Sequence, residues 1–275
     1  MVSISFRTLV WGILLLLPAT SATLKKPHYR DRTVSSARPH AAGDPVVVNA
    51  ASFENGISPG GLATVFGSDL TSVSGTIVAP RFPLPTVLGD VSVLVDGVPA
   101  PIYSIAFANG EDQISFQVPY DTRTGSAAVQ VEVFDGQDRT ASIITDSFTE
   151  DPGIFVYRAN YALAVHSSDG ALVGPDDPAI PGEVLVLYVT GLGPLSLQLD
   201  DGYAAPSSPL AYTADPFSVQ VDGQDSEVLF SGLAPGFVGL YQINLRVPRN
   251  IRTGDLNLQI QSPYASSRIA ILPVQ

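Results

Sequence analysis

The 275-residue chain contains no cysteine, one methionine and one tryptophan. Without cysteine there is no disulfide, no thiolate zinc site and no thiol nucleophile. Charge is scarce as well: 15% of residues are charged, below the average for globular domains. From Pro45 onward there is no lysine and one histidine, His166. A single imidazole with no cysteine argues against zinc and leaves little material for a catalytic triad. No N-x-S/T acceptor occurs, as in bacterial exported proteins. No apolar run reaches the roughly 18 residues needed to span a bilayer.

What is abundant is turn chemistry, with 24 glycines and 23 prolines, beside a hydrophobic content of 45%. That balance predicts many short strands joined by tight turns. The N-terminus has the three parts of a signal peptide: one positive charge at Arg7, nine apolar residues from Leu9 to Leu17, and small residues up to Ala22. Residues 1–22 are therefore expected to be removed, with a retained anchor as the alternative. Met1 and Trp11 leave with them. Residues 23–45 form a basic, flexible linker carrying Lys25, Lys26, Arg30, Arg32 and Arg38 against Asp31 and Asp44. The body that follows has eight arginines against 24 acids, a formal charge of −16. Such a surface repels nucleic acid and anionic lipid. A secreted or cell-surface protein with no membrane insertion after cleavage is expected.

The body reads as the same module twice. Pro59–Leu70 (PGGLATVFGSDL) lies over Pro181–Leu192 (PGEVLVLYVTGL), Val91–Gly97 (VSVLVDG) over Phe217–Gly223 (FSVQVDG), and Asp112–Gly125 over Tyr241–Gly254. Offsets of 122, 126 and 129 leave only small loop insertions between the copies. The second pair alternates apolar residues and ends in Asp-Gly, a hairpin-turn signal. Ile114, Phe116, Val118 and Ile243, Leu245, Val247 alternate in the third, each strand closed by a proline, Pro119 or Pro248. No amphipathic helix is evident in the body.

The segment Phe230–Tyr241 (FSGLAPGFVGLY) concentrates Gly232, Gly236 and Gly239 among apolar residues. No Gly-Lys-Ser/Thr follows it, which excludes a phosphate loop. Leu233, Phe237, Val238, Leu240 and Tyr241 are too apolar to stand in water, so this segment is expected to be an interaction or interdomain loop.

These residues carry a family resemblance. VVVNAASF, PLPTVLGDVSVLVDGVPAPI, PGEVLVLYVTGLGP and LFSGLAPGFVGLYQINLRVP resemble the Solibacter uncharacterised C-terminal domain family, found at the ends of large exported bacterial proteins. The likeness runs from about Val47 to Gln275. Each copy also resembles the IPT/TIG immunoglobulin-like module, the first through Gly60, Gly61, Val65, Gly67, Pro119 and Gly125. The second departs from that pattern at Glu183 and Val189. The resemblance implies architecture and export, and no reaction.

Candidate sites are few. His166 lies on a short hairpin turning at Ser168-Asp169-Gly170, and is expected at the surface. Ser167 and Asp169 are too close to it in sequence to complete a triad, and G-x-S-x-G is absent. Asp176-Asp177 and Asp200-Asp201 are paired loop acids, open to weak calcium binding but more simply solvated. Phe66, Phe116 and Tyr188 fall on strand patterns and are expected in the core. The fold class expected is all-β: two tandem immunoglobulin-like (IPT/TIG-like) β-sandwiches, 46–155 and 156–275, with Thr149–Asn160 crossing between them. The function expected is a non-catalytic extracellular or cell-surface structural or interaction module with no cofactor. Its partner would be a protein or a polysaccharide. A polysaccharide-binding module is the alternative, and a glycoside hydrolase-like enzyme the third.

Overall fold

A computed structural model describes residues 44–158 and 160–275; the signal segment 1–22 and the linker up to residue 43 lie outside the described residues. Among the described residues every regular element is a β-strand, and no helix is long and apolar enough to cross a membrane. The first ten strands are β1 (Val46–Asn49), β2 (Leu62–Gly67), β3 (Thr76–Val78), β4 (Val87–Leu88), β5 (Val91–Val95), β6 (Val98–Pro99), β7 (Ile102–Ala108), β8 (Glu111–Gln117), β9 (Gly125–Val133) and β10 (Arg139–Ser147). The next ten are β11 (Gly153–Ile154), β12 (Val156–Tyr157), β13 (Tyr161–Ala162), β14 (Ala164–His166), β15 (Val184–Thr190), β16 (Ser218–Val221), β17 (Gln224–Leu233), β18 (Tyr241–Arg246), β19 (Gly254–Gln261) and β20 (Ala270–Val274).

The first block forms two antiparallel sheets. One runs β1-β2-β8-β7-β3; the other runs β10-β9-β5-β4, with β6 on β5. Alternation on β9 sends Ala127, Val129, Val131 and Val133 inward, where with Val91 and Val93 they meet Val65, Ile105, Ile114 and Phe116 of the opposite sheet. At the turn after β5, Asp96 and Gly97 take φ of 51° and 81°, and after β16 Asp222 and Gly223 take 50° and 76°. Both central residues are thus left-handed, as a type I′ hairpin requires.

The second block differs from the two-sheet expectation. Its strands form one ten-stranded sheet, β11-β15-β18-β17-β16-β19-β20-β13-β12 with β14 on β15, curled into a nearly closed barrel. Its core takes Leu185, Leu187, Ile243 and Leu245 from one side and Val219, Val221, Leu256, Leu258 and Leu272 from the other. The join is β17, which pairs with β16 over Gln224–Ser226 and with β18 over Glu227–Leu233. The corresponding stretch of the first block, Val98-Pro99-Ala100-Pro101, holds two prolines. Neither offers an N–H, so that strand breaks into β6 and β7 and its sheets separate. Both strands carry a bulge: the register shifts across Tyr103 in β7 and across Leu229 in β17.

β10 still pairs with β9 at Ser147, and β11 already pairs with β15 at Gly153. The chain therefore passes between the blocks over 148–152.

Candidate functional site

A third apolar cluster lies between the two blocks. The first contributes Ala50, Ala51, Leu62, Ala79, Leu84 and Tyr103; the second contributes Phe155, Leu163, Val165, Tyr188, Ala234, Phe237, Val238 and Leu240. The glycine-rich loop after β17 is the centre of it. Ala234 N–H bonds to Leu240 O at 2.9 Å and closes the loop on itself, while Ala205 N–H reaches Phe237 O at 2.8 Å. Gly239, at φ 61°, brings the backbone down onto the first block: a Cβ there would stand 2.8 Å from Leu62 Cδ2 and 3.1 Å from Gly60 O. Only glycine fits that approach.

Polar bonds cross the same seam. The Tyr103 hydroxyl donates to Val238 O at 2.7 Å and accepts from Val238 N–H at 3.0 Å. Leu62 N–H donates to the Thr190 hydroxyl at 2.8 Å, which donates on to Gly239 O at 2.9 Å. The bulge in β7 turns Tyr103 outward across the seam, and burial drives its hydroxyl pKa well above the ordinary range. A second strap comes from 200–202. Gly202 N–H donates to Gln117 Oε1 at 2.7 Å, Leu84 N–H to Gly202 O at 2.8 Å, and Tyr120 N–H to Asp201 Oδ1 at 2.8 Å.

Of the five loop residues singled out from sequence, Phe237, Val238 and Leu240 lie in this junction. Leu233 and Tyr241 belong to the second block's core. Tyr241 is fully buried, with its hydroxyl donating to Gly193 O at 2.9 Å. In PIYSIAF, Tyr103 reads as an ordinary strand residue, and no local signal in the sequence marks it.

The paired acids do not act together. Asp201 is spent on a backbone amide of the first block, and burial raises its pKa. Asp177 sits in a tight turn with Gly174. Among the described residues no group of three or more His, Asp or Glu is gathered to hold a metal. His166 is a correction: expected at the surface, it is 6% exposed. Pairing of β14 with β15 carries it inward, where Nδ1 lies 2.9 Å from Glu183 Oε2 and Nε2 3.7 Å from Asp177 Oδ1. Burial pulls its pKa down, but the hydrogen bond and charge of Glu183, with Asp177, prevail and raise it. Asp169 caps its own turn by accepting from Ala171 N–H at 2.9 Å, so no triad forms with His166.

The aromatics divide three ways. Phe116 is in the first core, as its strand pattern suggests; Tyr188, expected in a core, is on the face of β15 opposite Leu185 and Leu187 and is buried by the junction instead. Phe66 is a correction: it lies half-buried on the outer face of β2, 6.1 Å from the ring of Phe53. On the outer face of the second block, Tyr212 is 47% exposed and packs 5.1 Å from Phe230. The register sets Asn244 beside Phe230 and Gln242 beside Gly232, and a bridge sets Tyr212 on the other side of Gly232. Gly232 leaves room for the Phe230 ring, which would stand 2.8 Å from any Cβ there. Gln242 Nε2 donates to Asn244 Oδ1 at 3.1 Å, which orients the two amides together. An open depression of about 320 Å³ lies elsewhere, bordered by Ser68, Asp69, Phe107 and Asp112. Its acid Asp112 already accepts from Leu70 N–H at 2.8 Å.

The chain matches no family model and no curated protein. Among solved structures it is similar to SGBP-B of the Bacteroides ovatus mixed-linkage glucan utilization locus, solved with a mixed-linkage heptasaccharide. That likeness has 12% identity and a TM-score of 0.33, over 80% of this chain and 42% of the other. It is also similar to the Yersinia pseudotuberculosis adhesin InvE, at 12% identity and a TM-score of 0.22, over 84% of this chain and 58% of the other. The chain thus spans less than two thirds of either protein. Likenesses this distant carry no argument about function.

Proposed function

We propose that the chain is a non-catalytic, exported bacterial module in which two immunoglobulin-like, IPT/TIG-like units are fused into one stiff body. It serves at the cell surface as a structural or interaction element. The observation that carries this reading is the apolar junction, closed by the paired bonds between Tyr103 and Val238. Domains tethered for independent motion meet over small polar interfaces, whereas a dry apolar seam holds one orientation. The signal-peptide pattern and the acidic, lysine-free body support export. Expression of the full chain in a bacterial host, with fractionation and protease treatment of intact cells, tests location. Recovery in the cytoplasm with residues 1–22 intact would overturn it. Small-angle scattering tests stiffness: a distance distribution broadened by free hinge motion would refute the fused junction.

The outer-face strip favours a second reading, a polysaccharide-binding module. The exposed ring of Tyr212 over Phe230 offers an apolar face to a pyranose, and Gln242 and Asn244 offer donors and acceptors for its hydroxyls. The strip carries no formal charge on a body of −16, which suits a neutral glycan. Native electrophoresis through gels containing hydroxyethylcellulose or laminarin decides this. Retardation abolished by Tyr212→Ala supports the reading, and migration unaffected by either polysaccharide refutes it.

A further inference from the structure

The first block leaves one long strand edge open, that of β10. This strand has nine residues and pairs with β9 without a register shift from Arg139 to Ser147. The other strands that end a sheet there, β1, β3 and β4, have four residues or fewer. On its outer side β10 is bonded at one end, where Ile57 N–H donates to Asp146 O and Phe148 N–H to Ile57 O, each at 2.9 Å. Alternate residues of an antiparallel strand turn their backbone groups to the same side, so Thr140, Ser142 and Ile144 also present N–H and C=O outward. Among the described residues no hydrogen bond reaches those groups. All three residues are exposed, Ile144 at 71%. The strand carries no lysine, proline or bulge, the devices that usually blunt a long edge.

The second block shows how the same edge is covered. Its last strand, β20, is the counterpart of β10: Val274 stands opposite Gly254 as Ser147 stands opposite Gly125. The end contact is repeated as well, with Ala179 N–H on Pro273 O and Gln275 N–H on Ala179 O, each at 2.9 Å. Three residues back from that contact, Ile271 holds the position of Ile144. Here, though, β13 lies parallel against β20 with Tyr161 beside Ile271, and Ile271 N–H donates to Asn160 O at 2.9 Å. The first block has no counterpart of β13 among the described residues.

We propose that β10 receives a parallel strand from another polypeptide, an extended basic segment that sets an aromatic side chain beside Ile144. Main-chain bonds to the open groups hold such a strand, and the side chains of alternate residues select it. Tyr161 gives the pattern for the aromatic, because residues paired across strands share a face. Charge makes the segment basic: Asp138 and Asp146 stand exposed at the two ends of the open stretch, on a body of −16. The segment that covers β20 is itself of this kind, with Tyr157, Arg158 and Tyr161 and no acid. A second copy of β10 does not suit the edge. Pairing two copies about Ser142 would set Asp138 of one against Asp146 of the other, between bodies of like charge. That the partner is an exported chain rests on the surface-interaction reading; strand addition is measured on purified protein, so its failure would leave export and the stiff junction standing.

The test is amide hydrogen exchange, followed by NMR on the mature chain with and without a capped synthetic peptide of residues 156–164. In the chain alone the amides of Ser142 and Ile144 should exchange fast, while that of Ile143, turned toward β9, is protected. With peptide at about ten times its dissociation constant, both fast amides should slow about tenfold. A peptide with aspartate in place of Arg158 should bind several-fold more weakly at low salt. Ser142→Pro removes one outer N–H and spares the bonds to β9, so it should melt near the wild type and lose the protection at Ile144. If that variant fails to fold, Ile144→Lys, at an exposed position, should weaken peptide binding about tenfold in its place. Slow exchange at Ser142 and Ile144 in the chain alone would overturn the proposal, since residues 23–43 or a second copy would already cover the edge. Exchange that stays fast with the peptide, or protection that survives in both variants, would overturn it too.

Discussion

Tyr103→Phe isolates the polar part of the junction. The substitution keeps the ring, which packs edge-on to Phe82 at 6.2 Å, and deletes one oxygen. That oxygen makes two bonds to one residue, donating to Val238 O at 2.7 Å and accepting from Val238 N–H at 3.0 Å. Val238 is fully buried and Tyr103 is 3% exposed, so water does not readily replace either bond. A buried backbone group stripped of its partner costs about 1–3 kcal/mol. Two such groups on one residue relax together, which brings the expected loss to about 2–4 kcal/mol. For a chain of this size each kcal/mol moves the midpoint by roughly 2–4 °C, so a fall of about 5–15 °C is expected. Differential scanning calorimetry is the assay, because it also counts transitions. The wild type should unfold in one transition, and the variant should melt lower or split in two as the blocks uncouple. A midpoint within about 2 °C of wild type, with a single unchanged transition, would refute the claim that this hydroxyl ties the blocks together.

Gly239→Ala should cost about 2–4 kcal/mol through its left-handed φ and the clash with Leu62, whereas Gly97→Ala, whose Cβ meets nothing within 4 Å, should cost about 1; equal melts for the two would count against the close approach. His166 has a raised pKa, so its contribution is complete below the unfolded value near 6.5 and fades as pH rises through the folded value. Urea midpoints should therefore fall from about pH 6 to 8 in the wild type and flatten in His166→Asn, and parallel slopes would sink the assignment. The exported product should weigh as a chain beginning at Thr23 and fluoresce from tyrosine alone, since Met1 and Trp11 lie in the removed segment; tryptophan emission would show the segment retained. Sedimentation should give a monomer at tens of micromolar, and a sedimentation coefficient that climbs with concentration would contradict it.

Much of the strand layout is legible locally. Asp96-Gly97 and Asp222-Gly223 signal their turns because that dipeptide tolerates positive φ at both positions, and both adopt it. The period-two runs of β9 and β19 announce which side chains turn inward. The apolar residues of the glycine-rich loop are legible as groups that require cover, yet nothing local names Tyr103 among the residues that meet them. Its outward turn comes from a bulge, which is a property of how β7 pairs with β8 rather than of either strand alone. His166 is misread for a similar reason. A hairpin tip looks exposed until Glu183, 17 residues on, is folded over the ring. Glu150 reads as one loop acid among many; its burial depends on segments near 193, 215 and 262 that converge only in the folded chain.

The seam also explains why a repeated module need not keep stacking. If the matched segments of the two blocks presented the same face, the socket that receives the second block would be offered again by the second block itself, and chains would associate head to tail. The socket in the first block is built from Leu62, Tyr103 and Gln117. Leu62 and Gln117 are matched in sequence by Val184 and Arg246, and the bulge position of Tyr103 is held by Leu229. Arg246 is engaged by Glu227 at 2.9 Å and by Gly182 O at 3.2 Å, which sets an exposed ion pair at the position where, in the first block, Gln117 receives the 200–202 strap. Leu229 occupies the same bulge position as Tyr103 but carries no hydroxyl to bind a backbone, and it stands 45% exposed. Burying the Arg246–Glu227 pair under another chain would cost its hydration and return no matching bond. Polar replacement at these positions acts as a cap does on a repeat array: the interface forms once, within the chain, and the same geometry is denied to a second molecule.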